Sequence, residues 1–291
     1  MYTLNCKGKI LSIETPIILG IINITPDSFY VGSRQQALGD ILLQAKKMLN
    51  EGAAILDIGG QSTRPGSEQI GAEAETKRVV PAITAILQQF PEAIISIDTY
   101  HAAVAKAAVE AGAAMVNDIS GGMMDAEMLA TVAALKVPYV CMHMKGTPAT
   151  MQHSPAYNDV TKEVLDFFIE RIDACRRAGI NDIIIDPGFG FGKTIEHNFT
   201  LLKNLSVFKI LGKPILLGIS RKSTIYKTLG VTANEALNGT TVLNTVGLMN
   251  GANILRVHDV KEAVEAVKLV EHFLRNSILQ ETPFFKKMKF L

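Results

Sequence analysis

Eight short apolar runs, each stopped by a polar residue, constrain what this chain can fold into more than any other feature. Residues 17–22 end at Asn23, 54–56 at Asp57, 93–97 at Asp98 and 114–116 at Asn117. Residues 139–142 end at His143, 183–185 at Asp186, 215–219 at Ser220 and 254–255 at Arg256. Continuous rather than alternating apolarity marks strands buried on both faces, as in a parallel sheet. Between the runs, residues 35–50, 73–89, 101–111, 125–135, 160–177, 235–249 and 261–275 carry apolar residues three and four apart, the spacing of helices. The less regular stretch after Asp186 predicts a short helix near 199–205.

A weak repeat supports the alternation. Glu51-Gly52-Ala53-Ala54, Ala111-Gly112-Ala113-Ala114, Ala178-Gly179-Ile180-Asn181 and Asn250-Gly251-Ala252-Asn253 each lead into a run. Glycine just past a helix takes the left-handed cap conformation and lets the chain turn into the next strand. Eight strand–helix units in 291 residues, with no linker, predict an α/β fold. The preferred form is one (β/α)8 TIM barrel domain over residues 1–291, with an open doubly wound sheet as the alternative. Residues 2–13, around Lys7-Gly8-Lys9, predict a short N-terminal β-hairpin that would plug the barrel floor.

Charge removes whole classes of partner. A formal net charge of +1 gives no field for gripping nucleic acid or an anionic membrane. Lys286, Lys287 and Lys289 form the only basic run, read as a solvated tail. Cys6, Cys141 and Cys175 are odd in number and widely spaced, which fits a reducing compartment rather than a disulfide framework or a zinc site. The start of the chain lacks a basic and then apolar leader, and no apolar stretch reaches the roughly 20 residues that span a bilayer. A cytoplasmic protein is the expectation.

In such barrels, chemistry sits at the C-terminal ends of the strands. Asn23, Asp57, Asp98, Asn117, His143, Asp186, Lys222 and Arg256 fall there, with His258 close behind. Any one of them reads simply as a polar residue closing a strand; together they converge on one mouth. Asp57 is the one set aside, as a structural holder of a neighbouring loop amide. Two loops are rich: Asn23-Ile24-Thr25-Pro26-Asp27-Ser28-Phe29 is strong turn chemistry. Gly59-Gly60-Gln61-Ser62-Thr63-Arg64-Pro65-Gly66 puts a cation and hydroxyls between glycines, suited to closing over an anionic substrate. Asp186-Pro187-Gly188-Phe189-Gly190-Phe191-Gly192-Lys193 misses the spacing of a nucleotide phosphate loop. An aspartate followed by aromatics suits a flat heterocycle: the carboxylate accepts two parallel N–H bonds and a phenylalanine covers a ring face. Arg256, His258 and the helix start after them form a candidate anion site, with Asp259 and Glu262 fitting a helix cap.

At these residues the sequence closely resembles dihydropteroate synthase. The matching motifs are Gly20 to Phe29, Gly59 to Gly66, Ser96-Ile97-Asp98-Thr99, Val116-Asn117-Asp118, Asp186 to Gly192, Ser220-Arg221-Lys222-Ser223 and Arg256-Val257-His258-Asp259. They follow in family order over about nine-tenths of the chain. The resemblance implies that a pterin diphosphate and p-aminobenzoate condense to dihydropteroate, with pyrophosphate leaving first. It implies pterin contacts at Asp98, Asn117, Met142, Asp186, Phe191, Gly218 and Lys222, and diphosphate contacts at Asn23, Arg256 and His258. Asn23 would also ligate Mg²⁺, and Asn23, Lys222, Arg256 and His258 would carry the catalysis. Phe29, Thr63, Arg64, Pro65 and Ser223 would frame p-aminobenzoate, where sulfonamides compete in this family, and the family's homodimer follows too. The rivals are a methyltetrahydrofolate–corrinoid methyltransferase domain, which should lack the two rich loops, and a non-catalytic pterin-binding paralogue.

One position departs from the family. The first loop usually continues Ser-Asp-Gly-Gly, whereas here it reads Tyr30-Val31-Gly32-Ser33. The missing aspartate helps order that loop in the family, so the resemblance implies a working enzyme with altered first-loop contacts. Val31→Asp is expected to change turnover or the KM for p-aminobenzoate in a steady-state assay; no change in either would contradict that expectation.

Overall fold

A computed structural model of the chain describes residues 1–24, 34–61, 69–148, 150–151 and 155–279. Two antiparallel strands, β1 (Tyr2–Cys6) and β2 (Lys9–Ile13), form the expected hairpin, in register from Tyr2 against Ile13 to Cys6 against Lys9. Its turn places both Lys7 and Gly8 at positive φ, 53° and 88°, the conformation whose twist matches a tight hairpin.

Eight parallel strands follow: β3 (Ile17–Asn23), β4 (Ile55–Gly59), β5 (Ile95–Asp98), β6 (Met115–Asp118), β7 (Tyr139–Met142), β8 (Ile183–Asp186), β9 (Leu216–Leu217) and β10 (Ile254–Val257). They pair in chain order, and β10 returns to pair with β3. The seam between β8 and β9 closes through the bridge of Ile185 with Ile215, where the Ile185 N–H donates to Pro214 O at 3.0 Å. The closed barrel is therefore the architecture, and the open sheet is set aside.

The crossover helices are α1 (Arg34–Glu51), α2 (Ala72–Gln89), α3 (Ala102–Glu110), α4 (Met128–Leu135), α5 (Val160–Ala178), α6 (Ile195–Lys203), α7 (Ser223–Leu229), α8 (Leu237–Met249) and α9 (Val260–Leu279). Gly52, Gly112, Gly179 and Gly251 all have φ between 97° and 118°, so the repeated glycine does terminate helices in the left-handed region. Helix α4 begins later than the spacing predicts, because Asp125 folds the preceding residues into a turn: its carboxylate accepts from the Glu127 N–H and, across to α3, from the Ala102 N–H. The helix placed near 199–205 instead runs over Ile195–Lys203, capped by Thr194, and continues as a 3-10 turn over Leu205–Leu211. Helix α7 escapes the periodicity because seven residues give too few turns to show one.

The inward faces of the strands explain how one barrel is both sealed and reactive. Side chains two apart in a strand share a face. Low in the barrel that face carries Leu19, Ile55, Met115, Val140, Ile184, Leu216 and Ile254, all buried, packed against Leu4, Cys6 and Ile13 of the hairpin. Two residues further along, five of the strands present Asp57, Asn117, Asp186, Gly218 and Arg256 instead. The hairpin thus plugs an apolar floor, pinned by Asp182 Oδ2 on the Asn5 N–H at 2.7 Å and by Lys7 Nζ on Val109 O at 2.7 Å. The polar half opens only at the C-terminal mouth.

Candidate active site

Strand register assembles the mouth. Asn23 pairs with Gly59, Gly59 with Asp98 and Asp98 with Asn117, which sets three side chains in one register; Met142 pairs with Asp186, two residues beyond the Asn117–Val140 pair. Gly59 lies between two of them: a Cβ there would make ordinary contacts, 3.5 Å from Asn23 Oδ1 and 3.8 Å from Asp98 Oδ2. A Cβ on Gly218 would sit 3.5 Å from Asp186 Oδ2.

The centre is Arg256. Its Nε–H donates to Asp57 Oδ2 at 2.6 Å and its Nη2–H to Asp98 Oδ2 at 2.5 Å. The Asn117 amide donates to the same Asp57 oxygen at 3.1 Å. Asp57 is wholly buried, and only 17% of the Arg256 side chain is exposed, so this pair is shielded from the screening that makes surface ion pairs weak. Burial works against the guanidinium, and Asp57 and Asp98 reverse that, holding its pKa above the usual value. Burial likewise pushes the Asp98 carboxyl up while Arg256 opposes the shift.

Beside this triad, Asp186 Oδ1 accepts the Gly188 N–H at 2.8 Å, and Lys222 Nζ donates to Phe189 O at 2.6 Å. The Lys222 ammonium stands 4.6 Å from the centre of the Phe191 ring. Burial pulls the Lys222 pKa down to about 8, with Asp186 acting against the shift. Asp98, Asn117, Met142, Asp186, Phe191, Gly218 and Lys222, every residue the resemblance implies for the pterin, line one cavity together with Ile119 and Arg256. Met142 and Phe191 belong to one apolar cluster with Ile119 and Tyr100, which gives the cavity a non-polar wall beside its charged groups.

His258 stands at the rim, with Nδ1 3.0 Å from Ser220 Oγ, and Ser223 opens α7 next to Lys222. Asn23 is exposed at the top of β3. Phe29, Val31, Thr63, Arg64 and Pro65 lie outside the described residues.

The model of the pterin binding enzyme family matches residues 19–258 of the chain. The dihydropteroate synthase of Escherichia coli (strain K12) is 43% identical over 267 residues, covering 91% of this chain and 94% of that protein. The chain belongs to the dihydropteroate synthase family of pterin-binding enzymes. The Yersinia pestis dihydropteroate synthase, solved with a sulfonamide drug complex, is similar with a TM-score of 0.88 and 40% identity, covering 94% of this chain and all of that one. The Xanthomonas albilineans synthase, solved with 4-aminobenzoic acid, has a TM-score of 0.86 and 39% identity, covering 94% and 98% of the two chains.

Three residues behave differently from their sequence reading. Asp57 does hold an amide, but that of Asn117 on a neighbouring strand, and above all it holds Arg256. His143 stands at a strand end yet turns away from the cavity: it is buried, edge-on to Phe167 at 4.8 Å, with Nδ1 2.8 Å from Lys193 Nζ. Asp259, read as a helix cap, gives its carboxylate to a bidentate pair with Arg221, both bonds 2.8 Å. That pair fixes Arg221 at a φ of 54°, and the next residue, Lys222, delivers its side chain to the cavity. Asp57→Ala, which strands Arg256 beside a single carboxylate, is expected to cost about 3–5 kcal/mol of stability by urea denaturation. A loss under about 1 kcal/mol would contradict the central role of the pair.

Proposed function

We propose that this chain joins 6-hydroxymethyl-7,8-dihydropterin diphosphate to p-aminobenzoate, releasing pyrophosphate and 7,8-dihydropteroate. The observation that carries this reading is that Asp186, Asn117 and Lys222 line one cavity with Met142 and Phe191. The ring's N–H and amino donors match the carboxylate of Asp186 as a parallel pair. Asn117 both donates and accepts along the same edge, and Lys222 donates to the ring carbonyl and the neighbouring nitrogen. Arg256 and His258 at the rim face the diphosphate: two of the five guanidinium N–H groups go to Asp57 and Asp98, which fix the plane in which the others are presented.

The same reading includes a dissociative order of steps. The bond from the exocyclic methylene to the diphosphate oxygen breaks first, and the pair of electrons leaves with pyrophosphate, whose charge Arg256 and His258 offset. The amine of p-aminobenzoate, neutral at pH 7, then forms the carbon–nitrogen bond and loses its proton to solvent. Ser223 and the loop residues Phe29, Thr63, Arg64 and Pro65 would frame that second substrate. Among the described residues no group of three or more His, Cys, Asp or Glu forms a metal cage. The donor set fits Mg²⁺ carried by the diphosphate, with the exposed Asn23 amide oxygen as protein ligand and phosphate and water as the rest. When bound, the ion would neutralise leaving-group charge.

A homodimer belongs to the same reading, supported by exposed Leu229 on α7 and exposed Val242, Val246 and Met249 on the packed helix α8. So does a cytoplasmic site, supported by three unpaired thiols. No helix among the described residues is long and apolar enough to cross a membrane.

Incubation with the pterin diphosphate, Mg²⁺ and p-aminobenzoate is expected to yield pyrophosphate and dihydropteroate in equal amounts. Pyrophosphate alone would indicate a failed second half-reaction, and neither product would overturn the proposal. Only the protonated Lys222 makes the stronger, charge-assisted bonds, so kcat/KM for the pterin diphosphate is expected to fall as pH rises through about 8. A profile flat to pH 10 would remove Lys222 from this role.

A further inference from the structure

Lys193 closes the loop that follows β8, and almost nothing of it reaches solvent: the residue is 3% exposed. Its ammonium has four hydrogen-bond acceptors among the described residues, and none carries a charge. Gly188 O lies at 2.9 Å and Phe191 O at 3.1 Å, both on the loop; His143 Nδ1 at 2.8 Å and His143 O at 3.4 Å belong to the end of β7. Burial drives the Lys193 pKa far down, with Asp186 acting against it, and burial together with the Lys193 charge does the same to His143. A phosphate has no route to such a group, so the superficial likeness to a nucleotide loop is explained away by packing.

The seam that Lys193 joins is unusually tight. Gly188, at a φ of 70°, lies so close to β7 that a Cβ would come 1.9 Å from His143 O. Gly192, at 64°, repeats this against Lys145 O at 2.2 Å. From the outer side the Tyr157 hydroxyl donates to Gly192 O at 2.9 Å. The opposite side of the same loop is the cavity wall: Asp186 holds the Gly188 N–H, Lys222 holds Phe189 O, and Phe191 lies beneath the Lys222 ammonium. Two lysines therefore grip one loop from its two sides, one of them in the cavity and one behind it.

We infer that Lys193, seated on His143, is a positioning residue for the pterin ring: by holding Gly188 O and Phe191 O against β7 it sets where Asp186 accepts and where Phe191 covers the ring. It does so without touching substrate. The inference rests on the reading of the cavity as the pterin site. A side chain that acts only on one wall predicts a selective defect, and that selectivity separates it from a general loss of packing.

The test is Lys193→Met, which keeps an unbranched side chain of similar length but cannot donate. Folding is checked by circular dichroism, affinity by calorimetric titration with 6-hydroxymethylpterin, and turnover by steady-state kinetics. Loss of the hydrogen bonds that Lys193 donates to the loop is expected to weaken pterin binding and raise its KM by about 10- to 100-fold. The KM for p-aminobenzoate and kcat should stay within about threefold of the wild type, a shift below one tenfold step in free energy. Wild-type affinity for the pterin, or an equal loss toward both substrates, would overturn the inference. If Lys193→Met does not fold, Tyr157→Phe decides: freeing Gly192 O from outside should raise the pterin KM severalfold and leave p-aminobenzoate unaffected, and no change would count against the inference. Because the titration needs no turnover, wild type that binds the pterin but yields no dihydropteroate would refute the reaction and not the positioning role.

Discussion

Everything polar at the barrel mouth is arranged around one guanidinium shared by two carboxylates. Arg256 reaches from β10 to Asp57 on β4 and Asp98 on β5, residues 199 and 158 positions away in sequence. A buried charge is tolerated only when compensated, and here each group compensates more than one neighbour. Asp57 also holds Asn117, Asp98 also feels Lys222, and Lys222 is balanced by Asp186. Removing any one leaves a buried neighbour with less compensation, so the cavity is stable as a set and not residue by residue.

The barrel makes such a set possible by a change in sequence two residues long. The inward face of seven strands is apolar at the level of the hairpin, and on four of them the next inward position is polar. Closing the floor with Leu4, Cys6 and Ile13 means that solvent and substrate enter from one end only. The charged groups then sit where walls of low polarity strengthen their interactions with a bound heterocycle.

Much of this is legible in the sequence, because strand ends are local features. The runs of apolar residues and the repeated glycines give the barrel, Lys7-Gly8-Lys9 gives its hairpin, and the polar residues that stop the runs give most of its mouth. What escapes is whatever depends on pairing across the barrel. Asp57 looks like any strand aspartate until Arg256, on a strand brought round by barrel closure, is placed against it. His143 sits in the same pattern as Asp186, yet it faces Phe167 and Lys193 because the chain turns out of β7 there. Lys193 reads as a loop cation, and only the close approach of Gly188 and Gly192 to β7 shows that it is buried.

The central claim, that the Arg256-centred mouth is a pre-built pocket for a pterin ring, is tested most directly by a crystal structure with 6-hydroxymethylpterin diphosphate. The ring is expected between Met142 and Phe191, with both donors of its pyrimidine edge on Asp186, the carbonyl on Lys222, and Arg256 still held by Asp57. A ring bound outside this cavity, or a complex in which Arg256 has left Asp57, would contradict it.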